Sequence, residues 1–371
     1  MINDVLGMKG CPKFKHVKLY ANLNQVISDA VTRHIEDIEA GRVPAEEHAL
    51  GLWLQHNPYP ISPSGVRRRT MKEATAFAPG HLTGLFQICD ESPDPLQKGA
   101  RGSGVSLDLG VYTRVTVEPS DVHSHVISIN GRRTDTAFVS ERILDKLRPL
   151  LPGPLRVAVE VTLETPLGAG FGSSGGGALS LALALNEAAG VGLSRVEAAQ
   201  VAHVAEIECG TGLGSVFAAL NGGFGVLVKP GAPGIGEAVR YPDTKGLRVV
   251  YLYFAPIPTK EALSNPDLRR RINELGGRFV DELGRELTPA RFMEFSRQFS
   301  EHVSLITPRM RGTMDATDEV GFASTMAMFG EVIFSLVDKD DAPELASVLE
   351  EAAPGYEAVV TGVDEGGARL V

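Results

Sequence analysis

The stretch Pro166-Leu-Gly-Ala-Gly-Phe-Gly-Ser-Ser-Gly-Gly-Gly-Ala178 sets six glycines and two adjacent serines between segments of opposite character. Before it, Val157, Val159, Val161 and Leu163 alternate with other residues, the period of a strand with one buried face. After it, Ala178 to Ala189 is almost wholly strong helix formers, and Gly190 supplies a stop. The stretch is therefore a strand-to-helix turn with few side chains. Such a turn points backbone N–H groups at an anion, and the helix dipole favours negative charge there. Two hydroxyls in the same turn can reach a phosphate oxygen or a phosphate-bound cation. Glycines also serve simply to pack a helix closely on a strand. Their density here, with Ser173 and Ser174 at the helix mouth, favours a phosphate cradle.

Three glycine-loop chemistries compete. The Walker A loop needs Gly-Lys-Ser/Thr, and no Gly-Lys pair occurs in the chain. The dinucleotide fingerprint G-x-G-x-x-G does match at Gly170, Gly172 and Gly175. It also requires a second parallel strand after the helix, ending in an acid about 20 residues on. Instead Ser194-Arg-Val-Glu197 forms a capping box that opens a second helix through about Glu208. Helix follows helix, and the βαβ unit is missing.

The third chemistry fits. Pro166-x-x-x-Gly170-Phe-Gly172-Ser173-Ser174 resembles the signature of the GHMP kinases, the family of galactokinase, homoserine, mevalonate and phosphomevalonate kinases. Ala78-Pro79-Gly80-His81 resembles the first motif of that family, and Ala202-His203-Val-Ala-Glu206 with Gly210-Thr-Gly-Leu-Gly214 its helix and metal loop. Gly99-Ala-Arg-Gly-Ser-Gly-Val105 and Ser324-Thr-Met-Ala-Met-Phe-Gly330 bring the finer pattern to the archaeal pantoate kinases. The resemblance covers about residues 74–371 and implies an α+β, two-lobed fold. An N-terminal mixed α/β lobe would bind ATP, a helix-rich, ferredoxin-like C-terminal lobe would follow, and the active site would lie between them. It further implies ATP- and Mg²⁺-dependent phosphorylation of a small hydroxy acid, with pantoate going to 4-phosphopantoate on the route to coenzyme A. Related kinases are often dimers, so a homodimer is implied as well.

The same resemblance assigns residues. Pro166, Gly168, Gly170, Gly172, Ser173, Ser174, Gly175 and Gly176 would wrap the phosphates, and Ser174 and Glu206 would hold Mg²⁺. Oxygen ligands suit that hard cation, which keeps several waters and needs few protein groups. Glu206, Ser174, His203 and Ser215 form the candidate catalytic set; His81, Arg101, His203 and Thr259 are candidate substrate contacts. Arg101 suits a carboxylate because guanidinium matches it bidentately. Met326, Met328 and Phe329 match the last motif loosely and read as core. Three positions depart from the family. Ser215 stands where a catalytic aspartate is usual, Ala100 where pantoate kinases have serine, and Leu227 where they have arginine, with Lys229 nearby as a substitute charge. The donor side thus reads as intact and the acceptor side as altered. Two other readings stay open: a GHMP kinase for another hydroxy acid or sugar, and a nucleotide-binding paralogue without turnover.

Composition narrows the setting. With 371 residues and 43% hydrophobic side chains the chain can bury a large core. A net charge of −10 argues against nucleic-acid binding, and means that a site for anions must be electropositive locally. No apolar run is long enough to cross a bilayer, and no secretory pattern opens the chain. Cys11, Cys89 and Cys209 are too sparse for a zinc knuckle or a disulfide framework, so the expected compartment is cytoplasmic.

The expected organisation is an N-terminal extension and linker over 1–70, an ATP-binding domain over 71–245 and a C-terminal domain over 246–371. The first segment has helical character from Asn22 to Ala40 and an irregular proline-rich stretch at His56–Gly65. It reads either as an appended oligomerisation or regulatory segment or as sequence upstream of a true start at Met71. Strands are predicted as a pair at 111–117 and 126–130, and singly at 156–163, 224–228, 248–254 and 356–360. Helices are predicted near 266–283, 289–303, 322–338 and 343–352.

Overall fold

The computed structural model describes residues 71–257 and 263–371. The expected helix at Asn22–Ala40, the linker and Thr259 lie outside the described residues.

Two long strands open the fold. β1 (Lys72–Cys89) and β2 (Gly99–Pro119) pair antiparallel along nearly their whole length. They carry the Ala78–His81 and Gly99–Val105 motifs, so both glycine-rich motifs lie in strands. β3 (Ser124–Ile129), β4 (Arg132–Arg133) and helix α1 (Phe138–Leu147) follow. β5 (Leu155–Leu163) then inserts between β2 and β3. The expected pairing of 111–117 with 126–130 is therefore corrected: β2 pairs with β5 antiparallel, and β3 pairs with β5 in parallel. A local hairpin was the simplest inference from sequence. β5 instead bonds to both strands, and its alternating Val157, Val159 and Val161 face the core on one side of the sheet.

Helix α2 (Ser173–Ala189) leaves the glycine loop and is buried nearly all round, which is why its sequence is alanine and leucine rather than amphipathic. It packs on β1 and β2 on one side and on α3 (Arg195–Cys209) on the other. The Ser194–Glu197 capping box of α3 forms as the sequence predicts. The short α4 (Ser215–Asn221), then β6 (Phe224–Lys229) and β7 (Glu237–Arg240), extend the first sheet along the glycine-rich half of β2.

A second, antiparallel sheet follows. β8 (Leu247–Pro256) is central, and the chain then forms α5 (Pro266–Arg285), α6 (Pro289–Val303) and α7 (Pro308–Glu319). β9 (Thr325–Met326), β10 (Gly330–Asp338), α8 (Ala342–Ala352) and β11 (Ala358–Thr361) complete this part in the order β11-β8-β10-β9. β12 (Arg369–Leu370) returns to the edge of the first sheet beside β1. The helix predicted at 322–338 is wrong. Val332, Ile333, Phe334 and Leu336 are buried on both faces of a strand, and a doubly buried strand has no alternation to read. The polar helix α7 was missed for the converse reason: it has little apolar pattern. The fold is α+β with two sheets and two lobes. One core lies beneath α2, and another joins the far ends of β1 and β2 to the second sheet and its helices.

Candidate functional site

A cavity of about 420 Å³ opens between the glycine loop, the α3–α4 turn and the β2-β6-β7 face. Residues 167–175 line it, with Glu206, residues 211–215, His81, Met328 and Phe329.

The loop is shaped by glycines that no other residue replaces without cost. Gly170 has φ +81, and a Cβ there would stand 2.8 Å from the Met328 carbonyl oxygen. Gly172, with φ 64, is the N-cap of α2, so no side chain caps the helix. The first N–H groups of α2 at Ser173, Ser174 and Gly175 lie in the cavity lining and are free of intrahelical partners, as a helix start requires. A Cβ on Gly175 would collide with the Ser215 hydroxyl, so the loop and the α3–α4 turn meet here at backbone distance.

At that meeting point lies Glu206, 2% exposed, in the last turn of α3. Three hydroxyls donate to its carboxylate: Ser174 Oγ to Oε1 at 2.6 Å, Thr211 Oγ1 to Oε1 at 2.6 Å, and Ser215 Oγ to Oε2 at 3.2 Å. Burial pushes its pKa above the ordinary carboxylate value, and the three hydroxyl bonds pull it partly back. No cationic side chain pairs with it among the described residues. The helix C-terminus adds its own negative end. Glu206 thus presents a buried carboxylate, held by three neutral hydroxyl donors, beside the glycine loop. Among the described residues no cluster of three or more His, Cys, Asp or Glu could hold a metal ion. Thr211 belongs to this group and was not singled out from sequence, although it lies inside the Gly210–Gly214 motif.

His81 lines the cavity beside the loop. Its Nδ1 lies 3.3 Å from Ser106 Oγ, and burial lowers its pKa to about 4, so the ring is neutral at ordinary pH. Ser173 turns its hydroxyl to Thr165 (3.3 Å), offering its backbone rather than its side chain to the cavity. Pro166 and Gly176 shape the turn from just outside the lining. Met328 and Phe329 are buried core and cavity wall at once. Phe329 sits at φ 64, a conformation few residues with side chains adopt, packed edge-on to Phe86 at 5.6 Å.

Two sequence assignments move elsewhere. Arg101 does not line the cavity. The two-residue period of β2 puts Ala100 and Gly102 on the cavity face and Arg101 on the other, where Nε donates to Val228 O at 2.7 Å, Nη1 to Gln87 and Nη2 to Asp281. His203 is 2% exposed, and its Nε2 bonds the carbonyls of Pro95 (3.2 Å) and Lys98 (3.0 Å), fastening the β1–β2 connection to α3. Burial, its largest influence, lowers its pKa. Sharing a helix with Glu206 did not bring it to the same cavity. Lys229 pairs with Glu237 outside the lining, and Glu208 pairs with Arg142 and Lys146 on the far side of α3.

Residues 138–223 match the GHMP kinases N terminal domain. A pantoate kinase of Thermococcus kodakarensis is 33% identical over 290 residues, 76% of this chain and 93% of that protein. The chain belongs to the GHMP kinases, in the pantoate kinase family. Among solved structures, one described as a phosphotransferase related to CoA biosynthesis pathway shares this GHMP kinase fold with a TM-score of 0.73 at 29% identity. It covers 81% of this chain and 98% of its own. A shorter stretch of 52 residues is 47% identical to a 3-methyl-2-oxobutanoate hydroxymethyltransferase of Pelobacter propionicus, 14% of this chain and 19% of that protein. The GHMP kinase assignment rests on the long match, and the short one lies in a different kind of enzyme.

Proposed function

We propose that this protein transfers the γ-phosphoryl group of ATP to the primary hydroxyl of pantoate, giving 4-phosphopantoate. The observation that carries the reading is the buried Glu206 carboxylate, held by Ser174, Thr211 and Ser215 at the mouth of α2. We place the division between an ATP-binding and a C-terminal lobe near residue 245. Ser174 and Glu206 would hold Mg²⁺, which when bound neutralises charge across the β- and γ-phosphates.

Phosphoryl transfer asks little covalent chemistry of a protein; positioning and charge stabilisation supply most of the rate. The loop amides of residues 173–175 bind phosphate oxygens along the dipole of α2. Ser215, a neutral hydroxyl donating to Glu206, takes no proton from the acceptor; it fixes the carboxylate's second oxygen. Neutral His81 orients the acceptor hydroxyl without adding charge. The apolar wall of Phe86, Met328 and Phe329 excludes water from the transferring group.

The test is ADP release in the presence of Mg²⁺ and a panel of hydroxy acids and sugars. Pantoate giving the highest kcat/KM supports the reading. A better acceptor elsewhere in the panel refutes the substrate assignment, and nucleotide binding with no acceptor-dependent turnover refutes the enzyme.

A further inference from the structure

The sheet end of the cavity has a floor almost without side chains. The strand register sets Gly102, Leu227 and Ala238 in one row across β2, β6 and β7, and Gly104, Gly225 and Arg240 in the next. All six residues line the cavity. Two polar groups stand over this floor. The His81 imidazole lies against Gly104, where a Cβ would meet Nε2. The Arg240 guanidinium lies over Gly223, where a Cβ would come within 2.6 Å of Nη2 and 3.1 Å of Nε. Gly223 has φ +79, so both the turn and the approach of the arginine require glycine there. Gly223 is tied back to the histidine, since its carbonyl accepts from Ser106 N at 2.9 Å and Ser106 Oγ meets His81 Nδ1.

Arg240 differs in kind from the other cations nearby. Among the described residues it is the one Lys or Arg in the cavity lining. Arg101 and Lys229 each pair with a carboxylate, whereas the bond recorded for Arg240 is from Nη2 to the Glu365 backbone carbonyl at 3.3 Å. Arg240 is exposed at the edge of the sheet, where the cavity meets solvent, so its remaining donors are open to a ligand as well as to water. In a chain of net charge −10, an anionic acceptor needs a local cation to offset the surrounding field. Gly104 to Gly225 to Arg240 is a step of two strands, about 10 Å, and the guanidinium folds back over part of that span. The gap between it and His81 suits a short acid whose hydroxyl is at the end opposite its carboxylate.

We propose that Arg240 anchors the carboxylate of the acceptor and makes this kinase select hydroxy acids over neutral alcohols. The inference rests on the kinase reading above and deepens it. With the hydroxyl at His81 and the carboxylate on Arg240, the acceptor spans the glycine floor with its apolar middle against Leu227 and Ala238. Its selectivity is bidentate: guanidinium matches a carboxylate and matches its amide poorly.

The test compares pantoate with its uncharged primary amide, in wild type and in Arg240→Gln and Arg240→Lys. Arg240→Gln should raise the KM for pantoate about 10²-fold, the worth of one charge-assisted pair, while the KM for ATP stays within about threefold. The wild-type preference for acid over amide should fall to near unity in Arg240→Gln and survive in part in Arg240→Lys. Calorimetric titration of the same two ligands gives the same comparison where turnover is absent or another acid proves the better acceptor. An acid-to-amide ratio unchanged by Arg240→Gln overturns the anchor. So does a wild type that binds or turns over only neutral alcohols, and that outcome leaves the ATP-dependent kinase standing. Wild type with no ATP turnover but with acid binding lost in Arg240→Gln overturns the kinase and keeps the anchor.

Discussion

The loop end and the sheet end of the cavity are built by opposite means. At the loop end the working groups are backbone amides, three hydroxyls and one carboxylate, all within about fifty residues of sequence and held by the start of one helix and the end of another. At the sheet end the working groups are two side chains from distant strands, His81 and Arg240, over a floor of glycine. A backbone cradle is hard to alter without losing the turn itself, whereas a side-chain anchor can move from strand to strand. That contrast explains how a chain can keep a donor site while changing the residues that hold its acceptor.

Removing the centre of the loop end should have the largest effect. Glu206→Gln is expected to lower kcat/KM by about 10³-fold, the upper range for one preorganised electrostatic group. The same variant should be more stable than wild type at neutral pH when metal is chelated. Burial raises the folded pKa of Glu206 above its unfolded value, so the metal-free protein loses stability as pH rises through that raised pKa. Thermal unfolding against pH in a chelator reads this directly; an unchanged slope in the variant would remove the buried charge from the account.

Gly170→Ala comes next. A Cβ at φ +81 costs about 1–3 kcal/mol in strain. It would also press on the Met328 carbonyl, so the KM for ATP should rise more than that for pantoate. Equal rises in both would mean that the two ends are not separable. Ser215→Ala should then cost less than about tenfold in kcat, below the 10²–10⁴ typical of a general base. A larger loss would give Ser215 a part in proton transfer.

The smallest effects on catalysis belong to residues the sequence placed in the site. Arg101→Ala and His203→Gln should leave kcat/KM for pantoate within about twofold, while each lowers stability by about 1–3 kcal/mol through carbonyls left unpaired. Denaturant unfolding beside steady-state kinetics separates these outcomes. An acid-side effect follows from His81. Its folded pKa of about 4 lies below its unfolded value, so stability is lost as pH falls from about 6.5 toward 4. His81→Asn should flatten that limb of the unfolding profile.

The contrast also explains what could be read in advance. The glycine loop and the capping box of α3 were legible because local geometry is written in local residues: glycine for positive φ, Ser-x-x-Glu for a helix start; Ser174 and Glu206, 32 residues apart, were linked only through the family resemblance. Arg240 was not, because nothing near it in sequence marks it; only the register of β7 on β6, and of β6 on β2, brings it over Gly223. Arg101, a candidate because its guanidinium matches a carboxylate, is turned by the pleat of β2 to the face away from the cavity. His203 shared a helical face with Glu206 over one turn, yet the loop at Pro95–Lys98 covers it. In the second lobe the error at 322–338 has the same origin. Burial on both sides hides the period that tells strand from helix.

The measurement that bears most directly on the central claim is ³¹P NMR of unmodified protein with ATP, Mg²⁺ and pantoate. The account predicts a new phosphomonoester signal, coupled to the methylene protons of the pantoate hydroxymethyl group and growing in step with ADP. ATP left intact, or broken down only to ADP and inorganic phosphate, would contradict it.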